Sequence, residues 1–208
     1  MVFSSKPSAM RCSRCGRFVD WSGARLQVVC GCRPRLDLPP VLTREAEAHD
    51  RRDALELFKQ DFGRTRVVSL GETLELDRLD IVVAEMEDGF AGALAWRRLE
   101  GALHIVAIGT DPMWQRAGVG GYLVAEAEMI ARNAGFGRIV TSTTNDNLPA
   151  LYFFQRHGYR LTELRPGAAA EHSEAPPLPG FAEIPVRDEL RLEKELDLRA
   201  PHASRRPS

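Results

Sequence analysis

Long hydrophobic runs are missing from this sequence of 208 residues. No stretch reaches the roughly 18 consecutive apolar residues that indicate a membrane-spanning helix. The first ten residues also contain no apolar segment of the kind found in secretory signals. Both absences argue against a membrane or exported protein, and the expected location is the cytoplasm.

Cysteine is scarce, and neither sign of charge dominates. Four cysteines are too few for a disulfide scaffold. A net charge of −1 gives no overall reason to bind nucleic acid. Hydrophobic residues make up 44% and charged residues 27%, which is ordinary globular usage and argues against disordered and fibrous classes. The length allows one full domain with a small appendage.

All four cysteines lie near the N-terminus in two pairs. Cys12 and Cys15 are separated by two residues, whereas Cys30 and Cys32 form a tighter C-x-C pair. Two such pairs can fold a short hairpin around one tetrahedral Zn²⁺, and about forty residues cannot build a stable core unaided. The segment therefore predicts a zinc ribbon with a structural Zn²⁺ held by all four cysteines. Unligated thiols and a redox pair are the alternatives.

The cysteine segment is also basic. Residues 1–35 contain seven cationic side chains and one acidic side chain, Asp20, which makes the local charge +6. Such a segment suits an acidic protein surface or a nucleic acid, although charge that only keeps a small domain soluble is the alternative. Three prolines in residues 34–40 indicate a stiff spacer. The expected divisions are a ribbon and linker over 1–40, a main domain over 41–198 and a disordered tail over 199–208.

The hydrophobic spacing predicts an ordered series of helices and strands. Apolar residues three and four apart predict helices over 43–62, 118–134 and 148–157. Short apolar runs bounded by turns predict strands over 81–86, 90–98, 102–109, 138–144 and 159–164, and a last strand within 184–196. Because only the later strands are separated by helices, the order predicts an α/β (α+β) fold with a mixed, mostly antiparallel sheet flanked by helices.

The most informative segment joins a predicted strand to the helix that follows it. Gly118, Gly120 and Gly121 open this helix. Free backbone N–H groups at a helix start attract anions, and glycines let a phosphate approach the backbone closely. Glycines before a helix can also be ordinary loop residues. The pattern is neither the dinucleotide-binding fingerprint nor the phosphate loop of nucleotide hydrolases.

Two motifs in this region resemble those of the GNAT N-acetyltransferase superfamily. The run Gln-Arg-Ala-Gly-Val-Gly at 115–120 is similar to the family's Q/R-x-x-G-x-G/A acyl-CoA motif. Residues 144–159 are similar to a second signature, N-x-x-A-L-x-F-Y-x-x-x-G-F. The resemblance covers 41–198 and leaves 1–40 outside it. It implies a GNAT-like fold and an acetyl-CoA-dependent transfer of an acetyl group to a primary amine of a small molecule or protein.

The resemblance also implies how acetyl-CoA would be held. The cofactor would occupy a V-shaped opening between the strands near 102–110 and 138–144. The glycine turn would hold its pyrophosphate, and the strand edge would pair with its pantetheine arm. Asn147 would contact the cofactor, although an N-cap of the next helix is an equally suitable role. The implied cofactor-binding residues are Ile108, Gly109, Thr110, Gln115, Arg116, Ala117, Gly118, Val119, Gly120, Gly121, Asn147 and Phe154.

Phe154 departs from the family pattern. Members commonly have a tyrosine at this position, four residues before Gly158, and it protonates the departing CoA thiolate. Tyr152 lies about 200° away around the helix, so the role does not transfer to it. Because a thiol has a pKa of about 8.5, the thiolate is already a fair leaving group. A slower or otherwise assisted transferase is therefore expected. The alternative is a catalytically weak acyl-CoA-binding regulatory or adaptor protein whose zinc ribbon contacts a partner.

No motif marks the base that takes the proton from the amine. Glu85, His104 and Glu189 are the main candidates, and Asp111 and Asp188 are weaker ones. A lone strand histidine such as His104 is more often structural, and the charged run around Glu189 is also typical of a solvated edge. The sequence leaves the base, the acceptor and the oligomeric state open.

Overall fold

The computed structural model describes residues 10–11, 18–19, 41–86, 89–115, 117–169 and 180–198. Two short strands near the N-terminus, β1 (Met10–Arg11) and β2 (Phe18–Val19), pair antiparallel. The four cysteines, the spacer and the tail lie outside the described residues, so the zinc ribbon and the divisions at 40 and 198 stay predictions. Among the described residues, no helix is long and apolar enough to cross a membrane.

The main body is one mixed sheet with helices on both faces. Its elements, in chain order, are β3 (Leu42–Glu45), α1 (Ala48–Phe62), β4 (Arg66–Ser69), β5 (Glu72–Glu75), β6 (Asp80–Met86), β7 (Gly89–Leu99), β8 (Ala102–Thr110), α2 (Val119–Asn133), β9 (Arg138–Thr144), α3 (Leu148–Arg156), β10 (Arg160–Arg165) and β11 (Glu189–Glu195). The sheet order is β10-β11-β9-β8-β7-β6-β3, and β4 pairs with β5 in a separate hairpin. Only β8 and β9 pair in parallel; the other neighbours are antiparallel. The predicted fold class is confirmed.

Helix α1 covers one face of the sheet. It begins with a capping box between Glu47 and Asp50 and ends at Gly63, whose φ of 73° is in the left-handed region that glycine adopts without strain. Ala54 and Phe58 are fully buried against the central strands. Spacing of three and four residues thus positions a continuous stripe of this helix over β6, β7 and β8.

Helices α2 and α3 pack on the opposite face. Leu123 and Ala127 of α2 are fully buried in a core that also contains Ile105 of β8. Helix α3 begins after Asn147, whose side chain accepts a hydrogen bond from the backbone N–H of Ala150 at 3.2 Å. The N-cap role considered for Asn147 is therefore confirmed.

The central parallel strands separate halfway along their length. Their pairing runs from Ala102 opposite Arg138 to Ile105 opposite Thr141. Beyond that point, residues 107–110 of β8 pair with β7, and residues 142–144 of β9 pair with β11. The β7–β8 register shifts at the same place and leaves Val106 as an extra residue. Because such a bulge bends its strand, β8 turns away from β9 and opens a fork, as the resemblance implied.

The sequence prediction was wrong at the start of the first helix. Residues 43–45 belong to strand β3, which pairs antiparallel with β6, and α1 begins only at Ala48. Apolar spacing does not show where a short edge strand ends and a capped helix begins. The segment 64–79, which has no clear periodicity, forms the β4–β5 hairpin and a short 3₁₀ turn over Leu76–Arg78.

Candidate active site

The glycine turn lies at the open end of the fork. Asp111 follows β8 and accepts a hydrogen bond from the N–H of Met113 at 2.8 Å, as expected of a turn residue. Gly118 is the N-cap of α2 and adopts φ 88°. With no side chain there to cap the helix, the N–H groups of Gly118, Val119 and Gly120 have no hydrogen-bond partner among the described residues. These donors at a positive helix terminus suit an anion such as a pyrophosphate.

Two of the turn's glycines also make room for a neighbouring helix. A Cβ on Gly120 would lie 3.2 Å from the Phe153 ring, and one on Gly121 would lie 3.1 Å from Nε2 of His157. Phe153 belongs to α3, and His157 is the residue directly after it. A side chain at Gly118 would instead meet nothing within 4 Å. Gly118 is therefore the position at which the anion site can be changed without disturbing the packing of α2 on α3.

Asn147 leaves a second donor beside the fork. The side chain is 4% exposed, and its Oδ1 caps α3. Its Nδ2 is buried and has no hydrogen-bond partner among the described residues. A buried polar group without a partner is costly, so a free N–H donor here is consistent with contact to a ligand.

A carboxylate that was not among the sequence-based candidates lies against strand β8. The backbone of Gly109 comes so close to Asp61 of α1 that a Cβ on the glycine would lie 2.8 Å from Oδ2 of Asp61. Asp61 is half-buried, and it has no hydrogen-bond or ion-pair partner among the described residues. Burial raises the pKa of Asp61 to about 6. Its spacing from Ala54 and Leu57 puts Asp61 on the buried stripe of α1. This spacing is the sequence feature from which the residue could have been found.

A chain of hydrogen bonds links two of the predicted catalytic residues. Nε of Arg97 donates to Nδ1 of His104 at 3.1 Å, so the neutral ring carries its proton on Nε2. That nitrogen lies 2.8 Å from Oγ of Ser69. The hydroxyls of Ser69 and Ser142 are 2.7 Å apart, and Ser142 donates to Oε1 of Glu189 at 2.6 Å. The two predicted residues are thus joined through two serines.

The side chain of His104 is not accessible to an amine substrate. Its side chain is fully buried, and both ring nitrogens are engaged. Burial, together with the nearby Arg97 cation, lowers the pKa of His104 to about 3. The geometry supports the structural role of a strand histidine and does not support a catalytic one.

Glu189 is likewise committed to neighbouring groups. Its Oε1 accepts from the N–H of Leu70 at 2.5 Å as well as from Ser142, and its Oε2 accepts from Arg165 at 2.9 Å. These bonds tie the β4–β5 hairpin to the end of the main sheet. Asp188 also has a structural contact, because its Oδ1 accepts from the N–H of Gly167 at 2.9 Å.

Glu85 belongs to a different cluster. It forms an ion pair with Arg44 of β3, and Arg44 also binds Asp50 of α1 at 2.5 Å. The guanidinium holds the pKa of Asp50 below its usual value. Glu85 is therefore paired with a guanidinium that it shares with Asp50, and the structure does not bring it together with His104 and Glu189.

Phe154 is a core residue in this structure. It is fully buried and packs edge-to-face on Phe153 and Tyr159, with ring centroids 5.1 Å apart in each pair. Tyr152 is 54% exposed, which agrees with its predicted position on another side of the helix. The contacts of Phe154 give it a packing role and do not support its assignment to the cofactor-binding set.

The remaining members of that set surround the fork and the turn. Ile108 is buried in the core, whereas Gly109 and Thr110 lie on the β8 edge beyond the bulge. Gln115 is exposed, Ala117 packs against the core, and Arg116 lies outside the described residues. No group of three or more His, Cys, Asp or Glu side chains in the described part of the chain is arranged to hold a metal ion.

The chain is thus an α/β protein in which an uncapped helix start lies beside separated central strands. The model of the acetyltransferase (GNAT) family matches residues 44–159. The uncharacterized protein YxbD of Bacillus subtilis (strain 168) is 33% identical over 143 residues, which cover 67% of this chain and 89% of that protein. The chain therefore belongs to the acetyltransferase (GNAT) family, and it is an acyltransferase of that type.

Solved structures share the fold at low sequence identity. The IAA acetyltransferase from Bacillus cereus ATCC 14579 superposes with a TM-score of 0.61 at 19% identity, covering 76% of this chain and 100% of that one. A Bacillus subtilis acetyltransferase in complex with CoA gives a TM-score of 0.58 at 20% identity, covering 76% and 99%.

The neutral state of His104 predicts a pH dependence of stability. Because its pKa is lowered to about 3 in the fold, the unfolded chain binds the additional proton between that value and its ordinary pKa of 6.5. The contribution of His104 to the free energy of unfolding is therefore complete above pH 6.5. It is lost as the pH falls below 6.5, by up to about 1.4 kcal/mol per pH unit. Urea unfolding at several pH values measures this slope. In His104→Gln the slope should be smaller, and an identical slope would contradict the assignment.

Proposed function

We propose that this protein transfers the acetyl group of acetyl-CoA to a primary amine of a small molecule or protein. The observation that carries the proposal is the uncapped start of α2 beside the fork between β8 and β9, where the N–H groups have no partner within the described part of the chain. The buried Nδ2 of Asn147 is a further donor without a partner there. Solved neighbours from Bacillus subtilis and Elizabethkingia anophelis are complexes with CoA and acetyl-CoA, which supports the same ligand here.

Acetyl transfer depends more on the orientation of the thioester and the amine than on reactive side chains. The turn would hold the pyrophosphate, and the β8 edge over 107–110 would order the pantetheine arm by backbone hydrogen bonds. Backbone N–H groups of the same edge are suited to stabilise the negative charge that develops on the thioester oxygen. Because Phe154 supplies no acid, the CoA thiolate would depart without a proton from this position.

A matched pair of variants at Gly118 tests the anion site. Gly118→Asp places a carboxylate where the pyrophosphate would lie, whereas Gly118→Asn has nearly the same shape without the charge. Both residues tolerate the left-handed backbone better than most, and the position is open. We expect Asp to weaken acetyl-CoA binding by about 100-fold relative to Asn, because like charges repel by several kcal/mol at contact distance.

Calorimetric titration of the two folded variants with acetyl-CoA measures this difference. Equal affinities would overturn the pyrophosphate assignment, and no binding by the wild-type protein would overturn the proposed function. A screen for CoA release with primary amines then separates the transferase from its alternative, a catalytically weak acyl-CoA-binding adaptor. Binding without release for any amine would favour the adaptor.

The N-terminal cysteines support a second, separate proposal. Cys12, Cys15, Cys30 and Cys32 have a spacing suited to a structural Zn²⁺, and the basic charge around them suits an acidic protein or nucleic-acid partner. Metal analysis of the purified full-length chain tests the first point. Retention on heparin, compared with a chain lacking residues 1–40, tests the second. The proposed location is the cytoplasm.

A further inference from the structure

The carboxylate of Asp61 occupies an unusual place on helix α1. It lies in the last turn, on the buried stripe that also contains Leu57, and faces the β8 backbone at Gly109. The other residues of α1 that face the sheet nearby, Ala54 and Phe58, are apolar and fully buried. Nothing in the described residues neutralises or hydrogen-bonds this carboxylate. It differs in this from Asp50 of the same helix, which is paired with Arg44.

A half-buried carboxylate without a partner costs folding free energy. Desolvation disfavours its charged form, and an amide or apolar side chain of similar size would avoid that cost. Natural proteins retain such groups mainly where function requires them, and unpaired titratable groups in clefts are enriched at active sites. Asp61 is therefore better explained by a ligand than by the fold.

The position of Asp61 beside β8 indicates which kind of ligand it would bind. Gly109 lies beyond the Val106 bulge, on the stretch of β8 that has separated from β9. If acetyl-CoA binds in the fork as proposed, its thioester would lie along this stretch, and a group bound to Asp61 would lie next to the reacting carbon. Because a carboxylate attracts cations, the complementary group is a protonated amine. An alkylamine with a pKa of about 10.4 is almost entirely in that form at neutral pH.

We propose that Asp61 binds the cationic primary amine of the acceptor beside β8 and takes the proton that the amine must lose before it attacks. This inference rests on the proposed acetyl transfer. Its pKa of about 6 keeps Asp61 ionised at neutral pH while leaving it more basic than an ordinary aspartate. The acceptors that fit are small or unhindered amines with positive charge at the reacting nitrogen.

The proton and electron balance of this step is simple. The ammonium nitrogen gives one proton to Oδ2 of Asp61, and the freed lone pair forms a C–N bond with the thioester carbon. The C–S bond then breaks, and its electron pair leaves on the sulfur. The second proton of the nitrogen passes to the thiolate, and Asp61 releases its proton to solvent. The products are the acetamide and CoA thiol.

Two small nucleophiles of equal size test the role of Asp61 before the natural acceptor is known. Methylamine is a cation at neutral pH and needs a base, whereas hydroxylamine is largely neutral and does not. CoA release is measured with each probe after subtraction of the uncatalysed rate. For Asp61→Asn we expect the methylamine rate to fall by about 10²-fold or more and the hydroxylamine rate by less than about tenfold. Acetyl-CoA affinity, measured by calorimetry, should stay unchanged.

Controls separate this role from a structural one. Asp53→Asn changes an exposed aspartate of the same helix and should leave both rates unchanged. Thermal unfolding of Asp61→Asn should occur at the wild-type temperature or above it, because an unpaired carboxylate is removed.

The outcomes decide the inference independently of the proposed function. Unchanged rates in Asp61→Asn, or equal losses with both probes, would overturn the role of Asp61. So would a wild-type protein that acetylates hydroxylamine but not methylamine. Binding of acetyl-CoA without turnover of either probe would also count against it. Failure of the wild-type protein to bind acetyl-CoA would overturn the proposed function instead.

Discussion

Replacing Glu189 with alanine is expected to lower the free energy of unfolding by about 3–5 kcal/mol. Three donors each lose one acceptor in this variant: the N–H of Leu70, the hydroxyl of Ser142 and the guanidinium of Arg165. Leu70 adopts φ 54°, a conformation unfavourable for leucine, so the bond to its N–H also holds a strained turn. Urea unfolding followed by circular dichroism measures the loss.

Glu189→Gln is the matched control. Its amide oxygen can still accept from Leu70 and Ser142, and only the ion pair with Arg165 is lost. Because Arg165 is 39% exposed, that pair should contribute no more than about 1 kcal/mol. If alanine and glutamine variants were equally stable, the hydrogen bonds to the hairpin would not have the importance assigned to them.

Truncating Phe154 is expected to have a similar effect through a different cause. Phe154→Ala should cost about 3–5 kcal/mol, because it removes a fully buried ring and leaves a cavity between Phe153 and Tyr159. Phe154→Leu keeps most of the volume and should cost about 1–2 kcal/mol. The measurement is again the unfolding free energy.

The same variant tests whether packing in α3 supports the glycine turn. Phe153 borders Gly120, so loss of the neighbouring ring should also loosen the start of α2. We expect acetyl-CoA affinity to fall in Phe154→Ala and to stay near the wild-type value in Phe154→Leu. An alanine variant with wild-type stability would contradict the core assignment, and the ring would then be free to face a ligand.

Local patterns allowed most of the secondary structure to be predicted. The strands around the Gly-containing turns and the helices α2 and α3 follow from apolar periodicity and capping residues, which act over a few positions. Strand β3 was missed because its four residues form a strand only by pairing with β6. The hairpin over Arg66–Ser69 and Glu72–Glu75 was ambiguous for a similar reason, since its contacts reach Ser142 and Glu189 far along the chain.

In the candidate site, too, features set by neighbouring residues were predictable and features set by distant contacts were not. The glycine turn, the possible cap at Asn147 and the family resemblance could be predicted from the sequence, because each depends on residues close together in the chain. Which acidic groups have partners could be seen only in the folded chain. Glu85 is paired with Arg44, Glu189 accepts from three donors, and His104 is fully buried. Of these carboxylates, Asp61 is the one without a partner among the described residues. It lies against β8 because the sheet carries Gly109 beneath a helix that ends 47 residues earlier in the chain. Pairing and desolvation depend on contacts between distant segments, and no local pattern records them.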